Sequence, residues 1–283
     1  MKRISKILFP TDFSEPANNA FRYALWFADK YGASIELVHV IYPEAEPMDF
    51  PVLVGQSTKV RAEAAREVMK IFVDTTLTQI QAGHQLQNIP NVISDIQTGA
   101  PASVIADIAK RDDVDMVIMG THGEHNALEK IFGSVTTATM QRVECPVLVV
   151  PENVTFEHIS TMAYATDLEV ADPYHIWETC KLLEPFSPIL HVVHIQQKPS
   201  ESKSMEMGEL ENFFAGKAPA LQVKYHYFGA RDVVEELSDF AEAWEVDLMV
   251  MQRPRRGFFE RIFHRSVSRE MALLSKTPLL IMQ

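Results

Sequence analysis

Cysteine is scarce in this chain. Its two cysteines, Cys145 and Cys180, stand alone, and neither belongs to a CxxC pair. That excludes a disulfide framework and a zinc site built on paired thiolates, and no other metal site is expected. Basic side chains are also in deficit, 26 against 38 acidic ones, for a formal net charge of −12. A chain of that sign is repelled by nucleic acid and by anionic membrane surfaces, so neither is expected as a partner. No apolar run approaches the roughly 20 residues needed to span a bilayer. The opening MKRISKILFPTD lacks the apolar core and small-residue cleavage site of a secretory signal. A cytoplasmic protein is the expectation. Glycine is sparse too, with 11 residues, and neither GxxxxGK[ST] nor a GxGxxG after the first strand occurs.

Apolar residues make up 47% of the 283 and charged residues 23%, enough to build cores and more length than one domain needs. The chain repeats itself. ISKILFPTDFSEPA near the start is answered by HISTMAYATDLEVA, and both strands end in Thr-Asp, with Asp12 and Asp167 separated by 167 − 12 = 155. ELVHVI is answered by LHVVHI, with His39 and His194 at the same offset, 194 − 39 = 155. Gly99 and Gly229 differ by 130, and Pro146 and Pro278, which open the closing strands, differ by 132. Matches in one order point to duplication, with a boundary near Pro151-Glu152-Asn153. The domains expected are 1–151 and 152–283.

In the first copy, strands are predicted at Ile4–Phe9, Ile35–Ile41, Asn91–Gln97, Met116–Met119 and Val147–Val150. Helices are predicted from Ser14, whose hydroxyl can cap, to about Lys30, over roughly Ser57–Ala82, and at Pro101–Lys110 and Ser134–Arg142. Strand and helix alternate, and the strands are rich in Val, Ile, Leu and Met without polar alternation. This is an α/β pattern: a five-stranded parallel sheet with helices on both faces, present twice.

Ligands of such sheets bind beyond the carboxyl ends of the strands, where the winding reverses. With strand one central, that point lies between Thr11-Asp12 and Gly120. After strand four comes GTHGEHNALEKIFGSVTTATM, in which Gly120, Gly123 and Gly133 precede a helix opening Ser134-Val135-Thr136. Glycine admits close approach to a phosphate, free N–H groups at a helix start favour an anion, and Ser134 and Thr136 carry hydroxyl donors. The alternative for Asp12 is that it merely caps the following helix. His39 reads as a packed or rim residue, His122 and His125 as loop residues. His191 and His194, three apart on a strand, face opposite sides.

The spacing Gly-2x-Gly-9x-Gly-Ser, with PTD ending strand one and LVHV in strand two, resembles the ATP-binding type of universal stress protein. The resemblance covers both halves and implies tandem Rossmann-like domains of the adenine nucleotide alpha-hydrolase-like kind. It implies ATP, with Mg, in the first domain. Asp12 and the backbone of Val40 would contact adenosine, while Gly120, Gly123, Gly133, Ser134, Val135 and Thr136 would line the phosphates. Thr11 and Met119 would form the neighbouring wall. The signatures of the enzymes in that wider group, an SGGxDS loop, HxGH and KMSKS, are absent, and no nucleophile–base–orienter set is visible. No catalytic residue is expected, and slow ATP hydrolysis at most. The expected role is a nucleotide-dependent stress or signalling module; an interaction protein that needs no nucleotide is the alternative. The family's dimerisation through the fifth strand suggests that Val147–Val150 and Leu279–Met282 pair within the chain, as an intramolecular pseudo-dimer.

The second copy departs from the motif. Aligning Met119 with Met251 sets Gln252 at Gly120, Arg255 at Gly123 and Arg265 at Gly133. A side chain at each place forbids the phosphate cradle, while Asp167 and Ile195 keep the adenosine half in outline. The segment carries six arginines, Arg253, Arg255 and Arg265 among them. These either pair with acids of the same chain or hold an anion or acidic partner.

Overall fold

The structure is a computed structural model. It describes residues 3–42, 51–83, 86–121, 132–156, 158–196, 205–215, 222–230, 232–253 and 276–283, with the side chains of 51–57 left out. The described residues form two compact units, one beginning at Ile4 and ending at Phe156, the other running from there to Gln283.

In the N-terminal unit the order is β1 (Lys6–Pro10), α1 (Glu15–Tyr31), β2 (Ser34–Ile41), α2 (Pro51–Ala82) and β3 (Val92–Thr98). It continues with α3 (Pro101–Ala109), β4 (Met116–Gly120), α4 (Ser134–Arg142) and β5 (Val147–Val150). The strands lie in the order β3-β2-β1-β4-β5, and their pairings are parallel. The winding therefore reverses between β1 and β4, where the sequence places Thr11-Asp12 and Gly120. The fold class is as read from the sequence. The α2 helix starts earlier than its periodicity suggested, at Pro51, a residue suited to the first helical turn.

Local chemistry explains α1. Ser14 caps it, its hydroxyl accepting from Ala17 N–H at 3.3 Å, and Pro16 sits in the first turn. Gly32 ends it with φ 63°, donating its N–H to Ala28 and Asp29 carbonyls. The buried stripe Ala17, Ala20, Phe21, Ala24, Phe27 and Ala28 lies on the sheet. Phe21 bridges Phe9 of β1 and Phe72 of α2 at ring distances of 5.2 and 5.3 Å. After β5 the chain is held on α1: Asn19 donates to the carbonyls of Pro151 (3.2 Å) and Val154 (2.7 Å), and Phe156 packs on Tyr23 and Trp26.

The C-terminal unit repeats the plan with β6 (Thr161–Ala165), α5 (Asp172–Leu183), β7 (Ile189–Gln196), α6 (Met207–Phe214) and β8 (Val223–Gly229). It ends with α7 (Val233–Ala243), β9 (Leu248–Gln252) and β10 (Leu279–Met282). Its strand order is β8-β7-β6-β9-β10, again parallel. The duplication extends to single hydrogen bonds. Asp115 binds the N–H groups of Ser5 and Lys6, and Asp247, 132 residues on, binds those of Ser160 and Thr161. No helix among the described residues is long and apolar enough to cross a membrane.

Candidate functional site

Three strand ends meet at the reversal in the N-terminal unit. Thr11, buried, follows β1. Its N–H donates to the Val38 carbonyl at 2.9 Å, and its hydroxyl accepts from Phe13 N–H at 3.0 Å. That second bond accompanies a left-handed turn at Phe13, φ 66°, which is rare for a bulky residue. His39 Nδ1 lies 2.8 Å from the Thr11 carbonyl. A carbonyl only accepts, so Nδ1 is the nitrogen that donates here. The Phe13 ring stacks on His39 at 4.4 Å. His39 is thus a packed rim residue with a structural bond, matching the expectation.

Asp12 is exposed, and one carboxylate oxygen accepts from the N–H (3.1 Å) and hydroxyl (2.6 Å) of Ser14. It therefore braces the residue that caps α1, while its other oxygen leaves acceptor capacity for a ligand. Val40, two residues beyond the end of the β1 register, is half-buried on β2 opposite Gln97. Met119 is buried opposite Val149, and Gly120 ends β4.

The start of α4 completes the site. Gly133 is its N-cap and supplies no side chain, so no side-chain bond caps the helix. The Gly133 N–H donates to the Thr121 carbonyl at 2.8 Å, which fixes the approach to the helix. The N–H groups of Ser134, Val135 and Thr136 form the first turn and have no acceptor within the helix. The Thr136 hydroxyl, which the sequence offered to a phosphate, donates instead to the Gly120 carbonyl at 3.1 Å and ties the helix to the strand end. Ser134 is exposed. Gly123 lies outside the described residues. A groove of about 400 Å³ between α2 and β3 is lined by Arg66, Met69, Lys70 and Asp95, and none of the site residues takes part in it.

The matching place in the C-terminal unit keeps the frame and changes the filling. Thr166 N–H donates to Val193, Leu168 N–H to the Thr166 hydroxyl, and His194 Nδ1 to the Thr166 carbonyl at 2.8 Å. Leu168 has φ 58°. However, Tyr164 stands at the position of Phe9 and Asp172 at that of Ala17, each 155 residues on. Asp172 is buried, accepts from the Thr166 hydroxyl and from Glu169 N–H, and is held above the usual carboxylate range chiefly by burial. The sequence repeat did not mark Asp172, because an acid at a helix start reads as ordinary dipole chemistry. Met205 N–H donates to the Leu168 carbonyl at 2.8 Å, so the chain ahead of α6 crosses this strand end. Arg253 donates its backbone N–H to Met282 and a guanidinium N–H to Gln283. Arg255 and Arg265 lie outside the described residues. The two cysteines are inert packing residues, burial raising both thiols to about 12.

Comparison with known proteins agrees with this geometry. The model of the universal stress protein family matches residues 3–151 and 187–283. Universal stress protein MJ0577 of Methanocaldococcus jannaschii is 34% identical over 155 residues, covering 51% of this chain and 93% of the relative. Universal stress protein Sll1388 of Synechocystis is 26% identical over 154 residues, covering 51% and 96%. The crystal structure of a universal stress protein from Archaeoglobus fulgidus overlays with a TM-score of 0.71 at 16% identity, covering 98% of this chain and 96% of that one. A sheet wound twice from one plan, the glycine-bounded strand end and a family model spanning both halves lead to one conclusion: the chain belongs to the universal stress protein family.

Proposed function

We propose that the N-terminal unit, expected to be the domain 1–151, binds one ATP at the carboxyl ends of β1, β2 and β4. Occupancy would set the state of the chain as a cytoplasmic stress or signalling module. The observation that supports this reading most is the uncapped start of α4, brought to the end of β4 by the Thr136–Gly120 bond. Three first-turn N–H groups and a glycine-flanked backbone suit an anion. Asp12 and the Val40 backbone would take the adenosine half, with Thr11 and Met119 as wall. Gly120, Gly123, Gly133, Ser134, Val135 and Thr136 would border the phosphates. Mg would arrive on the triphosphate, since no cluster of three metal-ligating side chains forms among the described residues. Slow hydrolysis is compatible with the role, and no dedicated reaction is assigned.

The test is stoichiometry. Protein purified without added nucleotide, then titrated with Mg-ATP by calorimetry, should show one site per chain. Two equal sites, or none, overturn the proposal, and none would favour an interaction protein that needs no nucleotide. We further propose, from the sequence of the closing strands, that Val147–Val150 and Leu279–Met282 pair within the chain. Amide exchange at both strands should then be as slow as at β1 and β6; fast exchange at either overturns that pairing.

A further inference from the structure

The face of the C-terminal sheet under α7 carries two histidines with an unusual setting. His191 of β7 is 1% exposed. Its ring lies parallel to that of His226 of β8, with centroids 5.0 Å apart and planes 5° apart. Buried His191 Nδ1 and His226 Nε2 have no hydrogen-bond partner among the described residues. The surroundings are aromatic: Phe240 lies 5.7 Å from His191 and 4.9 Å from His226, and Trp244 lies 4.7 and 5.1 Å away. Phe228 closes one side. Phe240 and Trp244 belong to α7 and its C-cap, so this helix forms one wall of the box.

The N-terminal unit treats the same place differently. His191 stands where the first copy has Glu36, 191 − 36 = 155. Glu36 is buried and paired with Arg111 and Lys6. In the second copy Ala243 and Thr161 occupy the Arg111 and Lys6 positions, at offsets of 132 and 155. The compensating charges are gone and an uncharged histidine stack fills the site.

We propose that the His191–His226 stack is an acid-sensitive latch, holding α7 on the C-terminal sheet at neutral pH and releasing it as the pH falls. While both rings are neutral, the box is an ordinary apolar contact. Protonation would place a new N–H donor against aromatic carbon, beside a second imidazole and near the Lys224 ammonium, which sits 5.4 Å from the Trp244 ring. Burial, then His226 and Lys224, hold His191 down to about 4 from its ordinary 6.5, and burial with Lys224 lowers His226. On α7, Asp239 and Glu242 are at the surface, as is Glu245 just beyond its C-cap, while Glu235 and Glu236 are half-buried in the first turn. None of these acids contributes to the shift of either ring.

The sign follows from linkage. Once α7 lifts, the rings take protons at their ordinary value, whereas in the closed form His191 resists until about pH 4 and His226 is also held below its ordinary value. The closed form is fully favoured above 6.5 and loses ground as the pH falls from there towards 4. Each histidine contributes up to about tenfold in the opening constant per pH unit. The latch stands independently of the nucleotide proposal.

Hydrogen exchange on the full chain tests it, at pH values from 7.5 to 4.5 with rates corrected for intrinsic exchange. Opening of Val233–Ala243 should rise more than tenfold between pH 6.5 and 5, while Pro101–Ala109, the counterpart in the other unit, should not follow. A His191→Gln, His226→Phe double variant should show a flat profile. A flat profile in the unaltered chain, or an undiminished rise in the variant, overturns the proposal. Should the variant fail to fold, imidazole NMR of the unaltered chain decides. His191 should remain neutral below pH 5.5 while α7 is protected, and titration at the ordinary value in the closed form overturns the latch.

Discussion

The two units share a strand-end frame nearly bond for bond, yet they differ in what stands around it. Thr11 with His39, and Thr166 with His194, make the same 2.8 Å contact, and Phe13 and Leu168 turn left-handed at the same place. The glycines after β4 have no counterpart after β9, and the second frame gains buried Asp172 beside Thr166. A frame that persists where the phosphate motif is lost belongs to the architecture of the strand end. Under the proposed function, ligand recognition then resides in what differs: the glycines after β4 and the absence of a buried carboxylate at Ala17.

That comparison can be broken most directly at Gly120. Gly120→Val should weaken ATP binding by well over tenfold and shift Tm little, whereas Gln252→Gly should not create a second ATP site; calorimetry reads both. Unchanged affinity in Gly120→Val would remove the cradle from the account.

The shared glycine pair before α3 and α7 is the next place to press. Gly99 has φ 150°, and an added Cβ would lie 2.8 Å from Val104 Cγ2, whereas a Cβ at Gly229 meets nothing within 4 Å. Gly99→Ala should destabilise by about 1–3 kcal/mol, and Gly229→Ala by no more than about 0.5 kcal/mol in either direction. Denaturant unfolding measures both. Equal costs would mean that the two turns are the same after all.

If the threonine frame is common architecture, Thr11→Val should cost about as much as Thr166→Val made in an Asp172→Ala background, where the extra bond of the Thr166 hydroxyl is already gone. Each removes the acceptor of one N–H, at about 1–2 kcal/mol. A large cost in one unit alone would assign that threonine a local duty.

The smallest effect concerns Asp172. Its folded form holds its proton to higher pH than the unfolded chain, so it weakens the fold as pH rises through that window. Asp172→Asn keeps one acceptor oxygen and should flatten this part of the stability profile, with the variant gaining on the unaltered chain as the pH rises from 4 to 7. A profile identical to that of the unaltered chain would show that the buried acid is already compensated.

Much of the fold was legible because its signals are local. Ser14, Pro16 and Gly32 mark the ends of α1, and unbroken runs such as Val147–Val150 mark strands buried on both faces. The repeat was legible from identical residues in the same order, at an offset of 155 through the second strand and of 130 to 132 after it. What escaped was chemistry created by residues far apart in the chain. His226 carried no signal until β8 lay beside β7 and α7 covered both. The proton that Thr136 gives to Gly120 depends on a helix returning to a strand end across a loop. Asp172 and Tyr164 are inconspicuous as letters, and only the alignment of the two frames shows them as replacements for Ala17 and Phe9.

The length of α2 has one further consequence. Its 32 residues span about 48 Å, against about 26 Å for the eight residues of β2. Among its described side chains, the buried ones are Met69, Phe72, Thr76 and Ile80, in its second half, while Val60, Val68 and Ile71 are exposed. From Thr58 to Val68 no side chain is fully buried, so the contact of α2 with the core begins at Met69. Amide exchange along this single helix should therefore grade from fast near Thr58 to slow near Ile80, so that one uninterrupted element records where the support of the sheet begins.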